Sequence, residues 1–160
     1  MSDILDLGGR VSLVTGAGQG VGAQIARHLA SAENAGGVAV NDYFLERAEA
    51  VADEINAAGG KAIAVQADVS DRASVQAMVA KVEEELGAVG VLVNNAGNAG
   101  AEPHPDQRKP FWETDKDIWD RTIGVNFYGV INCVGAVLAG MMQRQAPGTI
   151  LCIISDASRY

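Results

Sequence analysis

The residues best suited to chemistry lie early in the chain. A short apolar run (Val11, Leu13, Val14) ends in spaced glycines at Gly16, Gly20 and Gly22, and an alanine-rich helical pattern opens at Ala23. Strand, glycine turn and helix start, in that order, present backbone N–H groups and a helix N-terminus to a pyrophosphate. Glycine lets the backbone turn tightly, lets phosphates approach it and lets the helix pack closely on its strand. A second apolar run, Val38 to Val40, leads to Asp42, twenty residues after Gly22. A carboxylate there can accept hydrogen bonds from a ribose diol. The loop holds no lysine, so the phosphate loop of nucleoside triphosphatases does not fit. Asn94-Asn-Ala-Gly97 follows a further apolar run. Together these features favour a dinucleotide site over a plain glycine turn.

The elements that must position these groups follow from periodicity. Helical spacing is expected over Ala23 to Ala30 and over Leu45 to Ala58, the latter stopped by Gly59-Gly60. Ala62 to Val65 reads as a third strand ending near Asp68-Val69. Ser70 reads as the N-cap of a helix with an apolar face through Val75, Met78, Val79, Val82 and Leu86. Val89 to Val93 is a fourth strand. Strands alternating with helices at this spacing predict an α/β fold, a Rossmann-type doubly wound parallel sheet in three layers, α/β/α, with strand order 3-2-1-4-5. The glycine turn and the Asn94–Gly97 loop then end at one crevice, where strands one and four diverge.

At 160 residues the chain can bury a sizeable core, and it is expected to form one dinucleotide-binding domain over 1–160. A net charge of −8 argues against nucleic acid as a partner. Cys133 and Cys152 both sit in apolar runs without ligand-like spacing, so buried thiols are expected, with no disulfide or metal framework. The N-terminus lacks the basic start and long apolar core of a signal peptide. The longest apolar stretch, Phe127 to Met142, is interrupted by Asn132 and glycines and is short of the ~20 residues of a membrane span. A soluble, cytoplasmic protein is expected, with no membrane partner.

Residues 98–110, with three prolines and His104, read as a loop at the crevice rim, a substrate roof or a plain surface loop. Thr114 to Asp117 has capping-box spacing. The helix after it, Ile118 to about Gln145, is apolar on nearly every face from Ile123 onward. One face can cover the sheet; the other calls for a partner, so a homo-oligomer through helix 118–145 is expected. Pro147-Gly148 ends the helix, and Thr149 to Ile154 reads as strand five.

With these residues in view, the chain resembles the short-chain dehydrogenase/reductase family over essentially its whole length. Thr15, Gly16, Gly18, Gln19, Gly20, Val21 and Gly22 fall on the family's cofactor motif. Asp68, followed by Val69, falls on the acid that holds the adenine amino group. Asn95, Ala96 and Gly97, after Asn94, fall on the motif that props the central sheet and lines the cofactor. Asn126 matches the helical asparagine of the catalytic group, and Ser155 the catalytic serine. The resemblance implies hydride transfer between a secondary alcohol and its ketone. Ser155 would hold the substrate oxygen and Asn126 a water of the proton relay. A tyrosine, its pKa lowered by a lysine and the positive nicotinamide, would move the proton.

Three departures stand out. The family's usual Asn-Ile-Ser-Ser reads Cys152-Ile-Ile-Ser155, and the link into strand two is about two residues longer than usual. The Tyr-x-x-x-Lys pair does not occur: Tyr43, Tyr128 and Tyr160 have no lysine four residues on. The expectation is therefore the N-terminal part of a longer enzyme, truncated after strand five, that binds a dinucleotide and by itself turns nothing over. Asp42 favours NAD over NADP, because a carboxylate repels a 2′-phosphate. Gln19 adds no positive charge, and Arg47 reads as part of a solvated helix face. Ser155-Asp-Ala-Ser158 looks similar to relatives that act on hydroxyacyl thioesters. Two rivals remain at this stage: a catalytically dead cofactor-binding subunit supporting an active partner, and a Rossmann-like methyltransferase using the same turn and acid.

Overall fold

The computed structural model describes residues 6–32, 34–97, 109–144 and 146–154. Within them, β1 (Val11–Val14), α1 (Gly20–Ser31), β2 (Gly37–Asp42), α2 (Leu45–Ala57), β3 (Ala62–Gln66), α3 (Arg72–Glu85) and β4 (Val89–Asn94) alternate without interruption. A helical stretch follows in three parts, α4 (Lys116–Ile123), a π-turn (Gly124–Tyr128) and α5 (Gly129–Gln143), and β5 (Thr149–Cys152) closes the series. The five strands run parallel in the order β3-β2-β1-β4-β5, as the alternation predicts.

Every residue of β1, β2 and β4 is buried, which is the signature of central parallel strands covered on both faces. Period-two alternation sends Val11 and Leu13 of β1 to one face, where they meet Met78 and Val82 of α3 and Cys133, Val137 and Met141 of α5. Val14, Val38, Val40, Val91 and Val93 point to the other face, against Ala23 and Ala26 of α1 and Ala48, Val51 and Ile55 of α2. Alanine at those helix positions lets the helices sit close to the sheet. The Rossmann-type α/β architecture is therefore observed.

Some local expectations need correction. Ser70 does not cap α3: its hydroxyl is taken up by Asp68 at 2.7 Å, and Asp71 caps instead, accepting the Ala73 N–H at 2.9 Å. No capping box forms at Thr114, whose hydroxyl donates back to the Pro110 carbonyl; Asp115 is the N-cap, without a side-chain bond. The 118–145 helix begins earlier, at Lys116, is interrupted by the π-turn and ends at Gln143. β5 stops at Cys152 rather than Ile154, because its neighbour β4 ends at Asn94 and offers only one further acceptor, to Ile153 N–H. His104 and nearly all of the 98–110 loop lie outside the described residues, as do Gln145, Ser155 and Tyr160.

The helical stretch Lys116–Gln143 is, by length and composition, long and apolar enough to cross a membrane, contrary to the reading of Phe127 to Met142 as too short. Its packing is nevertheless that of a sheet-covering helix. Gly129, Cys133, Val137 and Met141, spaced four apart, form the buried stripe. The opposite side leaves Phe127 58%, Ile131 50% and Met142 73% exposed.

The two cysteines separate. Cys133 is buried, and desolvation pushes its thiol up to about 12. Cys152 is exposed, because β5 is the edge strand among the described residues and no described helix lies over its end. A thiol-disulfide reagent near pH 8 is thus expected to modify one equivalent, Cys152, in the folded protein, and the second only with denaturant. Modification of both at one rate under native conditions would contradict this packing.

Candidate functional site

The site is assembled around Thr15, the first residue after β1. Its hydroxyl oxygen accepts the backbone N–H groups of Asn95 and Ala96, both at 3.0 Å, and donates to the Val93 carbonyl at 3.4 Å. The Asn95 side chain returns the contact, its Nδ2 donating to the Thr15 and Gly16 carbonyls at 3.0 Å each. Gly22 lies under this bridge, and a Cβ there would sit 2.4 Å from Asn95 Nδ2, so only glycine fits. The ends of β1 and β4 are thus bolted together with every partner in hydrogen-bond range, in a part-buried setting where a lost partner is costly.

Beyond the bolt, α1 begins without a cap. Gln19 makes no side-chain cap bond, the first turn holds no acidic residue, and the first helical bond runs from Ala23 N–H to the Gln19 carbonyl. Gly20, at φ +56°, has nothing within 4 Å of where a Cβ would stand, and Gln19, Gly20 and Val21 are exposed. Orphan N–H groups at the positive end of a helix dipole, opening on free space, fit a diphosphate.

Asp42 closes one side of this opening. Its side chain is buried, with Oδ2 accepting Gly18 N–H at 3.0 Å and Oδ1 accepting Phe44 N–H at 3.1 Å. Each oxygen keeps a further lone pair for a hydroxyl donor. Arg47 departs from the solvated role expected of it: half-buried, its guanidinium lies over the Phe44 ring at 4.3 Å. Its Cβ stands 2.6 Å from where a Cβ on Gly18 would be, which puts Arg47 against the glycine turn.

The remaining expected residues come in from the other face of the sheet. Asp68 is half-buried, its Oδ1 accepting both the N–H and the hydroxyl of Ser70, and Val69 beside it is buried. Asn126 is exposed within the π-turn; its Nδ2 donates to the Thr122 carbonyl at 2.8 Å. Its Oδ1 lies 3.1 Å from where a Cβ on Gly97 would stand, so Asn126 and the Asn95–Gly97 loop are neighbours. Ser155 lies outside the described residues. No group of three or more metal-ligating side chains occurs among the described residues.

Two asparagines escaped the sequence reading as site-building residues. Buried Asn41 donates to the Val65 carbonyl at 3.1 Å and to that of Ala67 at 3.4 Å, tying β2 to the end of β3. Asn132 donates from α5 to the Val69 and Ser70 carbonyls at 3.0 and 3.3 Å. The available signal was an amide inside an otherwise apolar run, because a polar group so placed needs a partner.

A family model described as short chain dehydrogenase matches residues 10–160. The chain is 39% identical over 145 residues to the 3-oxoacyl-(acyl-carrier-protein) reductase FabG of Staphylococcus aureus, covering 90% of this chain and 55% of that protein. A gluconate 5-dehydrogenase from Burkholderia cenocepacia, solved with NADP and tartrate, superposes with a TM-score of 0.82 at 35% identity, over 96% of this chain and 56% of that one. A 7α-hydroxysteroid dehydrogenase, solved with NADH and 7-oxo glycochenodeoxycholic acid, superposes at 0.85 with 32% identity, over 100% of this chain and 58% of that one. The chain thus spans about half the length of these proteins.

Replacing Thr15 by Val removes one donor and one acceptor while leaving the Asn95 and Ala96 N–H groups part-buried and unpaired. The T15V variant is expected to lose about 1–3 kcal/mol of stability. Urea denaturation with an unchanged m-value would report it; an unchanged midpoint would show that the bolt is not under load.

Proposed function

Because this chain belongs to the short-chain dehydrogenase family, we propose that residues 1–160 form a nicotinamide-dinucleotide domain of an oxidoreductase that interconverts a secondary alcohol and its ketone. The observation that carries the reading is the uncapped N-terminus of α1, bolted by Thr15 to the Asn95–Gly97 loop and flanked by Asp42. The dinucleotide supplies the hydride acceptor or donor. The chain's own residues bind and orient it. Gln19, Gly20, Val21 and Gly22 hold the pyrophosphate by backbone N–H groups, Gly18 lets it approach the turn while its own N–H holds Asp42, and Asp42 accepts from the adenosine ribose. Asp68 and Val69 border the adenine, while Asn95, Ala96 and Gly97 line the nicotinamide side. Asn126 would hold a water for proton relay, and Ser155 the substrate oxygen.

NAD is proposed over NADP because Asp42 is pinned by two N–H donors and cannot swing away from a 2′-phosphate. The solved relatives include one holding NADP and one holding NADH, so the fold accommodates both. A hydroxyacyl thioester is the proposed substrate class, in keeping with the FabG relative's 3-oxoacyl-(acyl-carrier-protein) name. A cytoplasmic setting suits its two free thiols. No tyrosine here is followed four residues later by lysine, so these 160 residues alone are proposed to bind without turnover.

Fluorescence titration tests the reading. Saturable NADH binding, weaker NADPH binding and no S-adenosylmethionine binding are expected, and the Asp42→Ala variant should narrow the NADH preference. Binding of S-adenosylmethionine in place of NADH would sink the reading. A homo-oligomer through α4 and α5 is proposed from the exposed Phe127, Ile131, Leu138 and Met142. Light scattering is expected to report a multimer that the Leu138→Lys variant converts to monomer; a monomeric parent would exclude it.

A further inference from the structure

The helical stretch that carries Asn126 touches the β3–α3 turn at three successive points. Gly124, where the π-turn begins, faces Ser70, whose Cβ lies 3.5 Å from where a Cβ on the glycine would be. Gly129, where the π-turn ends, is pressed onto Val69 so closely that a Cβ would stand 2.8 Å from Val69 Cγ2. Asn132, nearly one turn further on, donates from Nδ2 to the Val69 and Ser70 carbonyls at 3.0 and 3.3 Å. Within the turn, Asp68 Oδ1 accepts from Ser70 N–H at 2.9 Å and from its hydroxyl at 2.7 Å. One short segment, Asp68–Ser70, therefore carries both the acid proposed for the adenine end and the anchor of the helix that presents Asn126.

The π-turn makes this anchorage consequential. Five residues, Gly124–Tyr128, leave the α-helical ladder, and Asn126 sits in their middle with its amide turned back on Thr122. Single π-turns interrupt α-helices most often at functional sites, and here contacts from outside the helix flank the turn at both ends. The glycine contacts are non-directional; the two bonds from one carboxamide to adjacent carbonyls are directional and set the register. We propose that Asn132 is a positioning residue that couples the Asp68–Ser70 turn to the π-turn, so that occupancy of the adenine end fixes the orientation of Asn126. This inference rests on the dinucleotide reading of the site.

The probe is 5′-AMP, which carries the adenine end and no nicotinamide, and the readout is the side-chain amide resonance of Asn126 in the isotope-labelled chain. In the wild type, AMP is expected to shift that resonance and to slow backbone exchange over 124–128 by about fivefold or more. Asn132→Asp, isosteric but without the donor, and Asn132→Ala should still bind AMP, with the Asn126 response abolished. A fall in melting temperature with the response intact in both variants would reduce Asn132 to a structural bond and overturn the inference. AMP binding without any response in the wild type would overturn it alone, whatever the variants do. Failure of the wild type to bind AMP or NADH would overturn the dinucleotide reading, and the inference with it.

Discussion

The structure depends on one reciprocal pair of contacts, the Thr15 hydroxyl on the Asn95 and Ala96 N–H groups and the Asn95 amide on the Thr15 and Gly16 carbonyls. Parallel strands end with backbone groups that their ladder no longer satisfies, and in the centre of a covered sheet water cannot reach all of them. Here the side chain following β1 and the side chain following β4 satisfy each other's backbone. That solution fixes the distance between the glycine turn and the Asn95–Gly97 loop, and with it the width of the crevice. Gly22 follows as a consequence, because α1 must begin directly beneath the Asn95 amide.

The opposite face of the sheet is arranged by the same economy of polar contacts. α3 and α5 bury an apolar layer that includes Met78, Val82, Cys133 and Val137, which holds them to the sheet but does not choose a register along the helix axis. Register comes from amides and glycines: Asn132 on the Val69 and Ser70 carbonyls, and Gly129 against Val69. The π-turn sits immediately before these anchors. Apolar packing thus supplies cohesion, and a few directional bonds decide where the polar groups of the site stand.

The fold was legible because its signals are local and repeated: alternation of apolar runs with helical spacing needs no tertiary knowledge. Val38 to Val40 and Leu45 to Ala58 differ from the observed elements by only a few residues. What misled were choices between adjacent residues competing for one role. Ser70 and Asp71 both cap well, and the decision fell to Asp68, which occupies the Ser70 hydroxyl. The π-turn left no sequence mark, because Gly124 to Tyr128 reads as ordinary apolar helix. Cys152 lies in a run as apolar as that of Cys133; its exposure follows from the edge position of β5 among the described strands, which no local pattern encodes.

The proposed preference for NAD turns on which of two opposite charges is free to move. Asp42 and Arg47 both flank the glycine turn. A 2′-phosphate near a carboxylate at about 4 Å meets a repulsion of order 4 kcal/mol per unit charge at an effective dielectric of 20. Asp42 cannot relieve it by rotation, since both oxygens are held by backbone N–H groups and the side chain is buried. Arg47 could offset it only by leaving the Phe44 ring, forfeiting a contact worth about 0.5–2 kcal/mol, and by ordering a long side chain besides. The carboxylate stands in place whatever binds, whereas the positive charge must first be moved, and a free 2′-hydroxyl that donates to the carboxylate needs no such rearrangement.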